Sequence, residues 1–205
     1  MEDTFKTIAK PSEGLFKDKG SRFISYAFPV NAEIEIREIL QSIKKGHHSA
    51  RHHCYAWRIG REKLLFRVND DGEPSSTAGK PILGQIQSFD LTNILIVVVR
   101  YFGGTLLGVP GLINAYRNAA LDAINQAEII EKVVEKCLLI EFNYHAMNEV
   151  MKVFKDEKLP QIDPQFDLSC KVKTQIRLSE SDRIVQGLMK IDSVAVMIME
   201  NNNKC

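Results

Sequence analysis

The segment that follows the apolar run at residues 94–99 has the composition of a phosphate-binding loop. It reads YFGGTLLGVPGLINAY and leads from a predicted strand into a predicted helix, the usual place for glycine-rich loops that hold phosphate groups. A dinucleotide loop needs G-x-G-x-x-G, but Gly103 and Gly104 are adjacent. A triphosphate loop needs a lysine directly after its last glycine, and Val109 follows Gly108. Two interpretations stay open: a sharp structural turn, or a weak anion site made by backbone amides.

Residues 44–67 carry the strongest local charge imbalance of the chain. They contain seven lysine and arginine side chains against a single acid, whereas the whole chain has a net charge of only +1. Strand alternation places Arg51 and His53 on the same side as Tyr55 and Trp57, a combination that can meet phosphates and stack bases. The alternative is that the two aromatic side chains belong to the core and the cations only protect a strand edge.

Two further cations stand where anions are often bound. Lys80 lies in the first turn of a predicted helix, where backbone amides lack intrahelical acceptors, and Arg100 ends the apolar strand. We therefore predict that nucleic acid or another anion is bound by eight residues of the first domain: Arg22, Arg51, His53, Arg58, Lys80, Arg100, Gly103 and Gly104.

Three acids within the stretch NDDGEPSSTAGKPILGQ offer a different chemistry. Asp70, Asp71 and Glu73 are of the type that holds Mg²⁺ or transfers protons, which would suit an enzyme acting on a phosphorylated small molecule. They also precede a predicted helix, and acids there often only complement the helix dipole.

A metal site or a cysteine nucleophile is not predicted. His52, His53 and Cys54 are adjacent, so in a strand they point to alternating faces, and the cysteines contain no C-x-x-C pair. Nothing in the sequence around Cys54 indicates a lowered thiol pKa or a group that would orient a histidine base.

The composition is that of an ordinary globular protein. The chain has 205 residues, of which 44% are hydrophobic and 26% are charged, and this length suffices for one large domain or two small ones. Its longest apolar stretch is far shorter than the roughly 20 residues that cross a bilayer, and MEDTFKTIAK is not a signal-type start. We expect a cytoplasmic protein without a membrane partner.

The hydrophobic pattern divides the chain into two α+β domains. Residues 1–131 alternate in GLFKDKGSRFISYAF, CYAWRI and KLLFRV, which predicts antiparallel strands, with helices near 34–43, 77–88 and 112–127. Residues 132–205 predict the order βαββαβ of a ferredoxin-like domain.

Several of these motifs, in this order, resemble the YigZ/IMPACT family. They are KGSRFI, ARHHCYAWRI, DGEP with TAGKPIL, VVVRYFGG and GLINAY, and the resemblance covers nearly the whole chain. It implies an IMPACT-type N-terminal domain similar to domain IV of elongation factor G, followed by a ferredoxin-like C-terminal domain. The chain differs from common bacterial members at Ser76, Pro110 and Asn114, where the last replaces a frequent cation.

The same resemblance implies a role in translation. Eukaryotic IMPACT members relieve inhibition by an amino-acid-starvation kinase by competing for its activator protein, and bacterial members are suspected of binding nucleic acid or ribosomes. The family supplies no catalytic residues to transfer. We thus expect a non-enzymatic, monomeric protein that binds RNA, the ribosome or another nucleic acid and needs no cofactor. The phosphate-acting enzyme stays open as an alternative, as does a protein-binding module that uses the second domain's sheet.

Overall fold

The computed structural model of the protein describes residues 3–199. These form two compact units, which are described separately. Phe5–Lys132 make up one, called the N-terminal unit, and the C-terminal unit begins at Val133 and includes Asp3 and Thr4. No helix within residues 3–199 has the length and apolar character needed to cross a bilayer.

The N-terminal unit is built on a five-stranded antiparallel sheet. A short strand β1 (Thr4–Ile8) is followed by the hairpin of β2 (Ser12–Asp18) and β3 (Ser21–Pro29), then helix α1 (Glu33–Gly46). The hairpin of β4 (His52–Ile59) and β5 (Leu65–Asn69) comes next, then helix α2 (Gly79–Ser88), strand β6 (Ile94–Tyr101), helix α3 (Gly108–Asn125) and strand β7 (Ile129–Val133). The sheet has the order β2-β3-β6-β4-β5, and β1 pairs with β7 in a separate two-stranded sheet.

Strand β6 lies at the centre of this sheet and is covered on both faces. Leu95, Val97 and Val99 pack with Trp57 and Ile36, which places α1 on one face. The alternate residues of β6 pack on the other face in a second core with residues of α2 and α3. Burial on both sides explains why β6 reads as an uninterrupted apolar run rather than as alternating apolar and polar residues.

The predicted helices are present, and two of their starts differ from the prediction. Helix α2 begins at Gly79 rather than near Thr77, and α3 begins at Gly108, before the predicted start at Leu112. Pro110 therefore lies in the first turn of α3, where its missing N–H has no intrahelical partner to lose. The pairing of β1 with β7 was not predicted.

The C-terminal unit has the predicted βαββαβ order. It consists of β8 (Glu135–Asn143), α4 (Met147–Asp156), β9 (Ile162–Phe166), β10 (Ser169–Arg177), α5 (Ser181–Leu188) and β11 (Ala195–Met199). The sheet order is β11-β8-β10-β9, with antiparallel pairing throughout. Alternate residues of β8 and β10 pack with residues of α4 and α5 in a single core. The α+β class and the two-domain organisation of the chain are thus confirmed.

Candidate functional site

Antiparallel pairing gathers several predicted site residues at one end of the five-stranded sheet. Arg22 pairs in register with Tyr101, and His52 pairs with Arg100, so the start of β3, the end of β6 and the start of β4 meet. Arg51 immediately precedes β4, and both Arg22 and Arg51 are exposed. We call this region, defined by Arg22, Arg51, His52, Arg100 and Tyr101, the cationic end.

The last turn of α1 extends the cationic end. The guanidinium of Arg22 lies 5.4 Å from the centre of the Tyr101 ring, and the Tyr101 hydroxyl is 2.9 Å from Nδ1 of His47. Lys44 and Lys45 lie in the last turn of α1, and Lys44 is 3.5 Å from a carboxylate oxygen of Asp71. Arg22, Arg51 and Lys45 are therefore exposed cations that this region offers to a ligand.

Arg100 is used inside the protein rather than displayed to solvent. Arg100 is only 6% exposed, and its Nη1 donates to Oε1 of Glu73 at 2.7 Å. The guanidinium carbon lies 5.4 Å from the ring centre of Phe23 and 5.6 Å from that of Phe102. Its Nε is buried and has no hydrogen-bond partner among residues 3–199. The prediction that Arg100 contacts a nucleic acid phosphate as an exposed side chain does not fit this environment.

Glu73 is the centre of a buried polar cluster. Its Oε1 also accepts a hydrogen bond from the Tyr116 hydroxyl at 2.8 Å and lies 4.0 Å from Nε2 of His52. The Cys54 sulfur is 3.3 Å from the same hydroxyl. Burial raises the pKa of Tyr116 far above its usual value, and the neighbouring thiol raises it further. The tyrosine therefore stays protonated and serves as a donor to the carboxylate.

The same environment makes Cys54 an inert thiol. Burial raises its pKa well above the ordinary value, although the hydrogen bond with Tyr116 acts in the opposite direction. A thiol held protonated is a poor nucleophile.

We expect Cys54 to resist alkylation by iodoacetamide in the folded protein and to react once urea unfolds it, as measured by peptide mass spectrometry. Rapid labelling of Cys54 in the folded protein would contradict this assignment.

The three acids of the DDGE segment turn towards separate partners. The carboxylate of Asp70 accepts from the backbone N–H groups of Ser76, Ala78 and Gly79 at the start of α2. Asp71 accepts from the backbone N–H of His53 at 2.7 Å. Glu73 pairs with Arg100 inside the buried cluster. The three acids therefore do not come together as the predicted metal or proton-transfer site. No grouping of histidine, cysteine and acidic side chains among the described residues is suited to hold a metal ion.

Arg58 lies at the opposite end of β4 from the cationic end. It pairs in register with Ile94, and its Nε donates to the Leu91 carbonyl at 2.6 Å. Arg58 is 6% exposed. Burial lowers the pKa of its guanidinium, and the nearby Asp90 carboxylate opposes this shift. The seven cations of residues 44–67 therefore do not form one surface. Arg58 is a structural residue, and its predicted contact with nucleic acid does not fit.

Lys80 lies in the first turn of α2 and is exposed, as predicted. The backbone amides that would bind an anion beside it are already engaged by the carboxylate of Asp70. The protein thus supplies its own anion at this helix start, so Lys80 gains no support from helix amides.

His53 and the aromatic residues after it face the interior. His53 is 7% exposed, its Nε2 is 3.2 Å from the His47 carbonyl oxygen, and Trp57 is buried in the core beneath α1. Arg51 stands before the strand begins, so it does not share a strand face with them. Residues 51–57 are therefore not a base-stacking surface, and the exposed cation among them is Arg51.

The paired glycines have a packing role. A Cβ atom on Gly103 would lie 1.9 Å from the carbonyl carbon of Gly20, in the turn between β2 and β3. The N–H of Gly103 donates to Oγ of Ser21 at 3.1 Å. Gly104 has φ +90°, a conformation that favours glycine. At the paired glycines these contacts favour a structural turn over an anion site.

A cleft that the sequence did not reveal opens at the amino-terminal end of α3. Its volume is about 440 Å³, and we call it the α3 cleft. It is lined by polar residues, namely Arg51, His52, Glu73 and Arg100, and by apolar residues, namely Pro74, Phe102, Leu106, Leu107, Val109 and Leu112. Phe102, Leu106 and Val109 are 53%, 82% and 51% exposed. Large apolar residues in the glycine-rich loop were the available signal for this cleft.

The chain is similar to known proteins of one family. Residues 19–124 match the Impact N-terminal domain family. The chain is 28% identical over 191 residues to the IMPACT family member YvyE of Bacillus subtilis, covering 93% of this chain and 88% of that protein. It is 35% identical over 144 residues to the IMPACT family member YigZ of Escherichia coli, covering 69% and 71%. A crystal structure of a hypothetical protein matches with a TM-score of 0.71 at 26% identity, covering 98% of this chain and 100% of that one.

Proposed function

Because this chain belongs to the IMPACT family, we propose that it regulates translation by binding RNA, free or in the ribosome, through the cationic end. The link to translation rests on the family, whose eukaryotic members act on that process. The choice of RNA, and of this surface, rests on the arrangement of side chains in the N-terminal unit.

The convergence of exposed cations at the cationic end carries the proposal. Arg22 and Arg51 come from segments that are far apart in sequence, yet β6 and β4 bring them to the same end of the sheet. Lys45 adds a third positive charge from the end of α1. Several exposed cations at one end of a sheet attract a phosphate backbone, and the released counterions make such binding sensitive to salt.

Within residues 3–199, the side chains around the cationic end form no catalytic constellation. Cys54 and Tyr116 are held protonated, Glu73 is engaged by Arg100, and Asp70 and Asp71 bind backbone amides. The buried cluster therefore supports the loops around the cationic end. A binding role suits these residues better than the phosphate-acting enzyme.

We expect Arg22→Ala and Arg51→Ala each to weaken RNA binding by about fivefold near 0.1 M salt, because each removes one phosphate contact. The slope of log affinity against log salt should fall by about 0.7 for each variant with single-stranded RNA. Fluorescence anisotropy with the full chain measures both quantities. Co-sedimentation at low and high salt measures how much of the protein associates with ribosomes.

Arg67→Ala is the matched control. Arg67 is exposed and loses the same charge, but it lies on the edge strand β5, opposite Trp57 and away from the cationic end. Its variant should retain affinity within about twofold. Equal losses in all three variants, or wild-type binding that ignores salt, would overturn the assignment of the surface. Arg58→Ala and Arg100→Ala are unsuitable because both arginines are buried.

A further inference from the structure

The α3 cleft borders the cationic end through Arg51, His52 and Arg100, but the proposed backbone contacts leave most of it unused. Its wall combines buried polar groups with exposed apolar side chains. Two features of this wall, an aromatic surface and a set of unoccupied donors, indicate what kind of ligand the cleft would take.

Phe102 provides a flat aromatic surface with support behind it. The Arg100 guanidinium carbon lies 5.6 Å from the centre of its ring and 5.4 Å from the Phe23 ring, so the guanidinium contacts both rings. Because Arg100 is anchored by Glu73 at 2.7 Å, the Phe102 ring has a fixed neighbour on the protein side. The residue nevertheless remains 53% exposed. An aromatic ring with an open surface is the side chain on which unpaired bases stack.

Unoccupied hydrogen-bond donors lie around the same cleft. Helix α3 has 18 residues and begins at Gly108, with no side chain capping its first amides. The amides of Gly108 and Val109, both lining residues, therefore favour an anion. Arg100 is an independent sign of a polar ligand. It lines the cleft and is only 6% exposed, and its Nε has no hydrogen-bond partner among residues 3–199. Arg51 adds an exposed positive charge.

We propose that the α3 cleft receives one unpaired nucleotide of single-stranded RNA. Its base stacks on Phe102 and contacts Leu106, and its phosphate lies towards Arg51 and the first amides of α3. This inference rests on the proposed RNA binding and adds to it a preference for unpaired over paired RNA. A base held in a duplex cannot enter, because both of its faces are already stacked.

The charge of the cleft favours a nucleotide over an apolar peptide. A purely apolar ligand would cover Leu106 and Val109 but leave Arg51 and the α3 amides without an anion. The two hydrogen bonds that the Glu73 carboxylate accepts from described side chains, those of Arg100 and Tyr116, both end on Oε1, so Oε2 can accept from an N–H group of a base. A nucleotide thus satisfies the aromatic, cationic and acceptor groups together.

The test compares Phe102→Ala with the wild-type chain on two RNAs of equal length, one unstructured and one fully paired. Base stacking is worth about 1–3 kcal/mol, which corresponds to a loss of about 5- to 150-fold in affinity for the single strand. Binding of the duplex should change by less than about twofold. The wild-type protein should quench the fluorescence of a 2-aminopurine placed in the single strand. Phe102→Ala should quench it less, and Phe102→Tyr should restore the quenching because tyrosine keeps an aromatic ring.

Phe66→Ala is the matched control because Phe66 is 52% exposed and lies on the edge strand β5. It should leave both affinities unchanged. If the wild-type chain binds RNA but Phe102→Ala affects neither RNA, or affects both equally, the cleft assignment is wrong while the proposed function stands. If the wild-type chain binds neither RNA, both proposals fail. Circular dichroism of each variant confirms that the fold is retained.

Discussion

Replacing Glu73 with alanine is expected to lower the free energy of unfolding by about 3–5 kcal/mol, because it leaves the Arg100 guanidinium buried without its charged partner. The side chains of Glu73 and Arg100 are 4% and 7% exposed, so water cannot readily replace the carboxylate. The same change removes the acceptor of the Tyr116 hydroxyl. Urea denaturation followed by circular dichroism measures the loss.

Two variants separate the buried pair from a general effect of removing an acid. Glu62→Ala removes an exposed carboxylate from the same unit and should change the free energy of unfolding by less than about 0.5 kcal/mol. The double variant Glu73→Leu with Arg100→Met should recover part of the loss, because neither charge is then left unpaired. A Glu73→Ala protein as stable as Glu62→Ala would show that the pair does not stabilise the fold.

Replacing Asp70 with alanine should cost at least about 2 kcal/mol of unfolding free energy. The Asp70 carboxylate accepts from three backbone N–H groups, at 2.9 Å from Ser76, 3.0 Å from Ala78 and 2.8 Å from Gly79. Ala78 and Gly79 are buried, and a buried amide left without an acceptor costs about 1–3 kcal/mol. Thermal unfolding monitored by circular dichroism measures the effect.

Asp70→Asn provides a graded comparison. The asparagine keeps one oxygen for Ala78 and Gly79 but presents an amide to the N–H of Ser76, so its loss should be smaller than that of alanine. Asp90→Ala is a less suitable control because Asp90 pairs with Lys63, whereas Asp192 is exposed and Asp192→Ala should have little effect. If Asp70→Asn were as harmful as Asp70→Ala, the contacts at Ala78 and Gly79 would not account for the cost.

Side-chain periodicity was sufficient to predict most of the secondary structure. The apolar residues of β10 repeat with the period of a strand and those of α1 with the period of a helix, and these periods can be read from the local sequence. The βαββαβ order of the C-terminal unit followed from these local patterns. Family membership followed from motifs of the N-terminal unit, which the match over residues 19–124 confirms.

The site could be predicted only in part, because charge in a sequence does not show whether a cation faces solvent. Arg22 and Arg51 are exposed, as a binding role requires, but Arg58 and Arg100 are buried with partners that are distant in the chain. Neither the Leu91 carbonyl nor Glu73 can be assigned to an arginine from spacing. The division of the basic segment between two ends of one sheet likewise depends on strand length and register.

The glycine-rich stretch shows the same distinction. Its residue types predicted a turn between a strand and a helix, since Gly104 and Gly108 adopt positive φ and Pro110 suits a first helical turn. Its close packing on Gly20 and the α3 cleft beside it were decided by the tertiary structure. Backbone conformation depends on neighbouring residues, whereas a cleft exists only where distant segments meet, so its lining could not be read from local sequence.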